Sequence, residues 1–169
     1  LRRRFDSGER LAFRMPLWVE PRKKGIEHSH FKLFLERDAL IDKGEDYFIR
    51  DGITVTGVSS QRQKGMRVIV AVSDKPLSKL LGDSENPAHT EWQERSPKFR
   101  NRYNLGPACL RFVKNSPREM IRILSMPAEG RDTKLLRDLF YIDLDPGTEA
   151  RSNRRLPTDG PGAGNLNDA

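Results

Sequence analysis

The densest group of chemically reactive side chains lies in the segment SENPAHTEW, residues 84–92. Within it, His89, Glu91 and Trp92 are close enough in sequence to share one surface. A histidine beside a carboxylate can transfer protons near neutral pH, because the imidazole pKa is about 6.5. The indole adds a flat apolar surface and one hydrogen-bond donor. His89, Glu91 and Trp92 therefore form a candidate functional cluster, suited to recognition or to proton transfer.

The same segment also has a purely structural interpretation. Pro87 restricts Asn86 to an extended backbone, and Thr90 is a suitable N-cap for a short helix that follows. Glu91 then falls in the first turn of that helix, where a negative charge suits the dipole, and Trp92 points toward the sheet. Under this interpretation the cluster only anchors the scaffold.

Other reactive side chains form no recognisable catalytic motif. His28 and His30 would share one face of a strand, but no Asp, Glu or Cys accompanies them at metal-ligand spacing. Cys109 is the only cysteine and lies in an apolar run, so we expect a buried, unreactive thiol. No phosphate-binding glycine motif occurs. The sequence predicts no catalytic residue, no metal ligand and no cofactor within this chain.

Positive charge is concentrated in two clusters. The formal net charge is +7, and residues 1–25 contribute +5, from eight Arg or Lys and three Asp or Glu. The second cluster is the segment RSPKFRNR, residues 95–102. Such clusters attract polyanions, so we predict nucleic acid as a partner, held by phosphate contacts that do not depend on sequence. The predicted contact residues are Arg2, Arg3, Arg4, Arg95, Lys98, Arg100 and Arg102. The same clusters have two alternative interpretations: a solvated surface, or a surface that binds an acidic protein.

The first half of the chain has the apolar patterning of strands. Four segments show it: residues 9–20, 30–38, 46–58 and 65–73. Pro16 restricts the first strand to an edge or a bulge. The polar segment SSQRQKG between the last two strands predicts an antiparallel hairpin.

The second half has helix signals. Asp74 is a predicted N-cap for a helix that ends at Gly82, and Ser116 followed by Pro117 predicts the start of another. A further amphipathic helix is predicted over residues 132–142. Strands followed by helices indicate an α+β fold: a mostly antiparallel four-stranded sheet with helices packed on one face.

The predicted domain organisation has three parts. Residues 1–25 are a basic N-terminal arm and edge strand, residues 26–147 are the α+β core, and residues 148–169 are a flexible linker or tail. Because the chain begins at Leu1 and not at a methionine, we expect it to be part of a longer protein. It contains no signal peptide and no long apolar run, so we predict a cytoplasmic protein without membrane contact.

The segment LLGDSENPAHTEW, together with the preceding RVIVAVSDKPL, resembles a known family. It is similar to a region that follows the nucleotide-binding domain in uncharacterised bacterial ATP-binding proteins of the GHKL type, the superfamily of gyrase, MutL and MORC-like proteins. The resemblance covers approximately residues 31–123. It implies a non-catalytic transducer domain that relays nucleotide-driven closure in a neighbouring domain to a DNA-binding part.

The resemblance also implies where nucleotide chemistry would occur. GHKL transducer domains can donate a basic residue to the terminal phosphate, and Lys64 is the candidate phosphate contact here. The asparagine-bearing helix and glycine-rich lid of the superfamily are absent from this chain, so ATP and Mg²⁺ would be held by an upstream nucleotide-binding domain of the parent protein. Two alternative functions remain: a small metal-dependent hydrolase or nuclease that uses His89 and Glu91, or a protein-interaction module.

Overall fold

A computed structural model describes residues 1–126, which form an α+β fold around one six-stranded sheet. The strands are β1 (Leu11–Pro21), β2 (Glu27–Arg37), β3 (Glu45–Arg50), β4 (Ile53–Thr54), β5 (Met66–Val72) and β6 (Tyr103–Asn104). The helices are α1 (Arg2–Asp6), α2 (Lys75–Ser84), α3 (Pro97–Arg100) and α4 (Gly106–Ser125). The order across the sheet is β4-β3-β5-β2-β1-β6. The predicted α+β class is confirmed.

The predicted number of four strands is wrong, because the sheet has six. The two additional strands, β4 and β6, are each only two residues long, and so short a segment has no recognisable alternation. The predicted strand over residues 46–58 is a hairpin of β3 and β4. Asp51 and Gly52 form its turn with φ values of 48° and 84°, as a two-residue hairpin of the primed type requires.

The predicted antiparallel hairpin between the third and fourth strands is also wrong. β5 pairs with β3 in parallel, with Glu45 opposite Arg67 and Arg50 opposite Val72. The connection after β4 runs back beside β3, where the Asp46 carboxylate accepts hydrogen bonds from the backbone amides of Ser60 and Gln61. β5 therefore starts at the same end of the sheet as β3.

One face of the sheet carries the core and both long helices. Buried side chains alternate along β1, β2 and β5, and Phe31 of this face packs edge-on against Phe112 of α4, with ring centroids 5.9 Å apart. On the same face, the Ser29 hydroxyl donates to Asp74 (2.7 Å) and accepts from the Leu77 amide (3.2 Å). Asp74 is the N-cap residue of α2, as predicted, but Ser29 of the sheet satisfies the helix amide.

Residues 1–25 supply α1 and β1 to this architecture. Phe5 of α1 is buried in the core, and β1 pairs along its length with β2. β6 pairs only with Glu20 and Pro21, so among the described residues most of β1 is the outermost strand on its side. The segment is therefore integrated into the sheet.

Helix α4 runs through the position where a helix was predicted to begin. Ser116 and Pro117 lie in its interior, so the predicted capping role of Ser116 is wrong. Pro117 has no amide to donate to the Val113 carbonyl one turn earlier. The Ser116 hydroxyl donates to that carbonyl instead, at 2.9 Å. Buried residues repeat at helical spacing from Cys109 to Leu124, and this continuous apolar stripe outweighs the proline.

The predicted helix at residues 132–142 and the predicted tail at residues 148–169 lie outside the described residues. None of the helices within residues 1–126 combines the length and the apolar character that crossing a membrane requires.

Candidate functional site

The turn between β1 and β2 carries three exposed cations, Arg22, Lys23 and Lys24. The turn is closed by a hydrogen bond from the Lys24 amide to the Pro21 carbonyl (3.0 Å). A second bond, from the Arg22 amide to the Arg102 carbonyl (2.9 Å), ties the turn to the segment before β6. Within residues 1–126 the side chains of Arg22, Lys23 and Lys24 make no ion pair. Their charge is therefore available to a ligand.

The opposite wall of the same groove is the exposed side of α2. Asp83 accepts hydrogen bonds from Arg102 (3.1 Å) and from the Tyr103 hydroxyl (2.8 Å), and Lys79 lies 3.4 Å from it. We call the space bordered by the turn, Lys79, Asp83 and Arg102 the cationic groove. Its volume is about 550 Å³, within the range of ordinary ligand sites.

The groove has a positive field despite its acidic residues. Its lining carries five cations against two carboxylates, Asp83 and Glu27, a net charge of +3. Burial alone would raise the pKa of Asp83, but its bonds to Tyr103 and Arg102 outweigh burial and lower it. Burial and the bond to Asp83 raise the pKa of Tyr103 well above its ordinary value, so this phenol stays protonated. The groove is therefore suited to holding an anion.

A second polar cluster lies at the C-terminal end of α2, around the carboxylate of Glu85, the residue that follows the helix. The side chain of Glu85 is only 1% exposed. It accepts two hydrogen bonds from Arg50 (2.6 and 2.9 Å) and one from the Trp92 indole (3.2 Å), and it lies 2.8 Å from Nδ1 of His89. We call these four residues the Glu85 cluster.

The Glu85 cluster is held in place from several elements. Arg50 ends β3, and its guanidinium lies against Gly82 of α2, where a Cβ would stand 3.4 Å from the guanidinium carbon. The prediction that Gly82 ends the helix is wrong, because α2 continues to Ser84. Trp92 packs edge-on against Phe48, with ring centroids 5.4 Å apart.

The predicted trio of His89, Glu91 and Trp92 is only partly brought together. His89 and Trp92 share the carboxylate of Glu85, whereas exposed Glu91 accepts a hydrogen bond from Gln93 instead. The predicted helix starting at Thr90 does not form. Asn86 closes a loop by bonding to both the amide and the hydroxyl of Thr90 (2.9 and 2.8 Å).

Arg2, Arg3 and Arg4, the predicted contact residues of the first cluster, lie at the opposite end of β1 from Arg102 of the second cluster. Arg2, Arg3 and Arg4 belong to α1, next to the Leu11 end of that strand, and Arg4 pairs with Glu9 at 2.6 Å. Arg102 lines the cationic groove at the Pro21 end. Lys64, the predicted phosphate contact, is also far from the groove: it pairs with Asp42 (3.3 Å) just before the start of β5.

The remaining cations of the second cluster border this region without lining the groove. Arg95, Lys98 and Arg100 are exposed, on or beside the single-turn helix α3. Arg22, Lys23 and Lys24, which line it with Arg102, were counted in the basic segment 1–25 but were not named as contact residues, and sequence reasoning missed Lys79. The run RKKG in a predicted strand connection was an available signal, because three adjacent cations at a turn must project into solvent.

Metal and thiol chemistry find no support in the described part of the chain. Among residues 1–126, no three His, Cys, Asp or Glu side chains lie together in a way that could hold a metal ion. Burial raises the pKa of the Cys109 thiol to about 11, so it is un-ionised at neutral pH. The thiol contacts the Trp18 carbonyl oxygen at 3.3 Å and fills space between α4 and β1.

Comparison of the chain with models of known protein families, with curated proteins and with solved structures finds no match. The resemblance to GHKL transducer domains therefore stays a prediction, and the candidate function is argued from the geometry alone.

The ionisation of Glu85 predicts a loss of stability in acid. Burial alone would raise its pKa, but the bonds from Arg50, His89 and Trp92 outweigh burial and hold the pKa below its ordinary value of 4.5. A lowered pKa in the folded state stabilises the fold above the unfolded-state pKa, and this contribution disappears as pH falls through the folded-state value. We expect the free energy of unfolding, measured by urea titration, to fall as the pH drops below about 5.

A Glu85→Gln variant should show a shallower fall over the same pH range, because the titrating group is gone. Glu91→Gln is the matched control, since the Glu91 side chain is exposed and has no bond to Arg50. Equal pH dependence in the wild type and the Glu85→Gln variant would contradict the assignment.

Proposed function

We propose that this chain is a non-catalytic accessory domain that binds nucleic acid through phosphate contacts in the cationic groove. The observation that carries the proposal is the set of three cations at the β1–β2 turn, which make no ion pair within the described part of the chain and face Lys79 and Arg102 across a concave surface. Phosphate groups attract Lys and Arg by charge and release counterions when they bind. A groove with a net charge of +3 is suited to such a backbone.

The chemistry of the groove favours binding over catalysis. Arg102 and Lys79 share the Asp83 carboxylate, which fixes their positions and leaves one net positive charge among the three residues. Contacts of this kind position a backbone without distinguishing bases. We therefore expect affinity for nucleic acids of unrelated sequence.

The test is a charge reversal at the turn, Lys23→Glu with Lys24→Glu. Binding of a fluorescein-labelled duplex is measured by anisotropy at about 50 mM and about 200 mM salt. We expect the double variant to bind at least about tenfold more weakly at the lower salt concentration, because each lost phosphate contact removes a counterion-release contribution. The log–log salt slope should become shallower by about 2, or about 1 per lysine.

The matched control reverses two charges at the other end of the sheet, Lys43→Glu with Arg62→Glu. Both residues are exposed, and the change in net charge is the same. The control should keep most of the wild-type affinity and slope. Equal losses in the two double variants would show that only the overall charge matters, and wild-type binding by the Lys23 and Lys24 variant would refute the groove as the site.

A further inference from the structure

The face of the sheet opposite the helices is uncovered by any described element. Its side chains alternate with the buried ones along β1, β2, β5 and β3. Two of its aromatic residues are exposed: Phe34 is 39% exposed and Tyr47 is 43% exposed. We call this surface the open sheet face.

The two exposed aromatics belong to one row of side chains that crosses four strands. Phe34 is opposite Ala12 on one side and Ile69 on the other, and Tyr47 is opposite Ile69. Because neighbouring strands are about 4.8 Å apart, the Cα atoms of Phe34 and Tyr47 are about 10 Å apart. Both rings are accessible from the solvent side, since Phe34 and Tyr47 are each exposed.

Positive charge borders this row. The next row along the strands contains Arg14 opposite Lys32. Arg14 contacts the His30 ring (3.4 Å), and Lys32 makes no ion pair within residues 1–126. On the other side of the aromatic row, Arg10 and Arg67 pair with Glu36 and Glu45 and cancel their charge. Within these three rows, the four cations and two carboxylates leave a net charge of +2.

We propose that the open sheet face binds single-stranded nucleic acid, with bases stacked on Phe34 and Tyr47 and phosphates held by Arg14 and Lys32. Bases stack on exposed aromatic rings regardless of sequence, and a flanking positive charge follows the backbone. A duplex cannot use this surface in the same way, because its bases are already paired and stacked. The inference rests on the proposed affinity of the chain for nucleic acid. It adds a second site, which binds single-stranded nucleic acid in preference to a duplex.

The test measures binding of a labelled oligo-dT strand of about 12 nucleotides, within the site sizes of single-strand binding domains. Phe34→Leu removes the ring but keeps an apolar side chain of similar size in the strand. We expect Phe34→Leu and Tyr47→Ala each to weaken binding about 5- to 140-fold, the range observed for loss of one stacked base. The salt slope should not change, because no charge is removed.

Three further measurements sharpen the result. Phe34→Trp should retain wild-type affinity, since the indole also stacks. Leu40→Ala, which truncates a 90% exposed residue outside the face, should also bind as the wild type. Duplex binding should be unaffected by Phe34→Leu. Wild-type binding of oligo-dT by Phe34→Leu, or an equal loss of duplex binding, would overturn the proposal.

Failure of this proposal is distinguishable from failure of the cationic groove. If the open sheet face is not a site, Phe34→Leu binds oligo-dT normally while reversal of Lys23 and Lys24 still weakens duplex binding. If the groove is not a site, the reverse pattern is expected, with normal duplex binding by the Lys23 and Lys24 variant and a loss of oligo-dT binding by Phe34→Leu.

Discussion

Replacement of Arg50 by methionine is expected to lower the free energy of unfolding by about 3–5 kcal/mol, the range for breaking a buried ion pair from one side. The Glu85 carboxylate is 1% exposed and would lose two of its four polar contacts, both made by Arg50. Of the three partners of Glu85 in the Glu85 cluster, Arg50 is the one that always carries a positive charge. Methionine keeps most of the apolar stem of arginine. The loss therefore reports the uncompensated carboxylate and not a cavity.

The measurement is urea unfolding at neutral pH of the wild type, Arg50→Met, Glu85→Gln and the double variant. Because the two side chains are in contact, the double variant should be less destabilised than the sum of the single variants. Arg111→Met is the matched control, because the Arg111 side chain, which pairs with Glu94, is about half exposed. We expect this substitution to change the free energy of unfolding by less than about 1 kcal/mol. A similarly small effect of Arg50→Met would show that His89 and Trp92 suffice to hold Glu85.

Truncation of Phe48 to alanine is expected to destabilise the fold by about 3–5 kcal/mol, the usual range for a buried phenylalanine. Phe48 is 1% exposed and lies between the core and the Trp92 ring. Its loss should also loosen the segment that carries His89, because Trp92 is the aromatic anchor of that segment. Chemical denaturation gives the stability, and a shift in tryptophan fluorescence of the native state reports the environment of the indole.

The neighbouring residue provides the control for Phe48→Ala. Tyr47 is on the same strand but on the opposite face, and it is 43% exposed. Tyr47→Ala should therefore change stability much less than Phe48→Ala. Comparable losses would contradict the assignment of the two faces of β3, and with it the exposure of the open sheet face.

Local patterning predicted most of the sheet. The alternation around Phe31, Leu33 and Leu35 identified β2, and the apolar run from Val68 to Val72 identified β5. These patterns depend on neighbours two residues apart, so they can be recognised in one sequence. Strand pairing depends on the path of the connections, and the parallel arrangement of β3 and β5 was not visible in the residues between them.

The candidate sites were less predictable because they combine residues that are distant in sequence. His89 and Trp92 were recognised as a cluster, but their shared partner is Glu85, and the charge that balances Glu85 comes from Arg50 on another element. The cationic groove likewise joins the β1–β2 turn to Arg102 through a single backbone hydrogen bond. Charge composition indicated a basic protein, whereas only the fold shows which cations share a concave surface.

The length of β1 sets the minimum length of any ligand that contacts both α1 and the cationic groove. Ten residue steps of about 3.3 Å separate the α1 end of the strand from the groove end by about 33 Å. This is close to the helical repeat of B-form DNA, about 34–36 Å or ten base pairs. If duplex DNA is the ligand, a fragment of fewer than about ten base pairs would reach only one of the two ends.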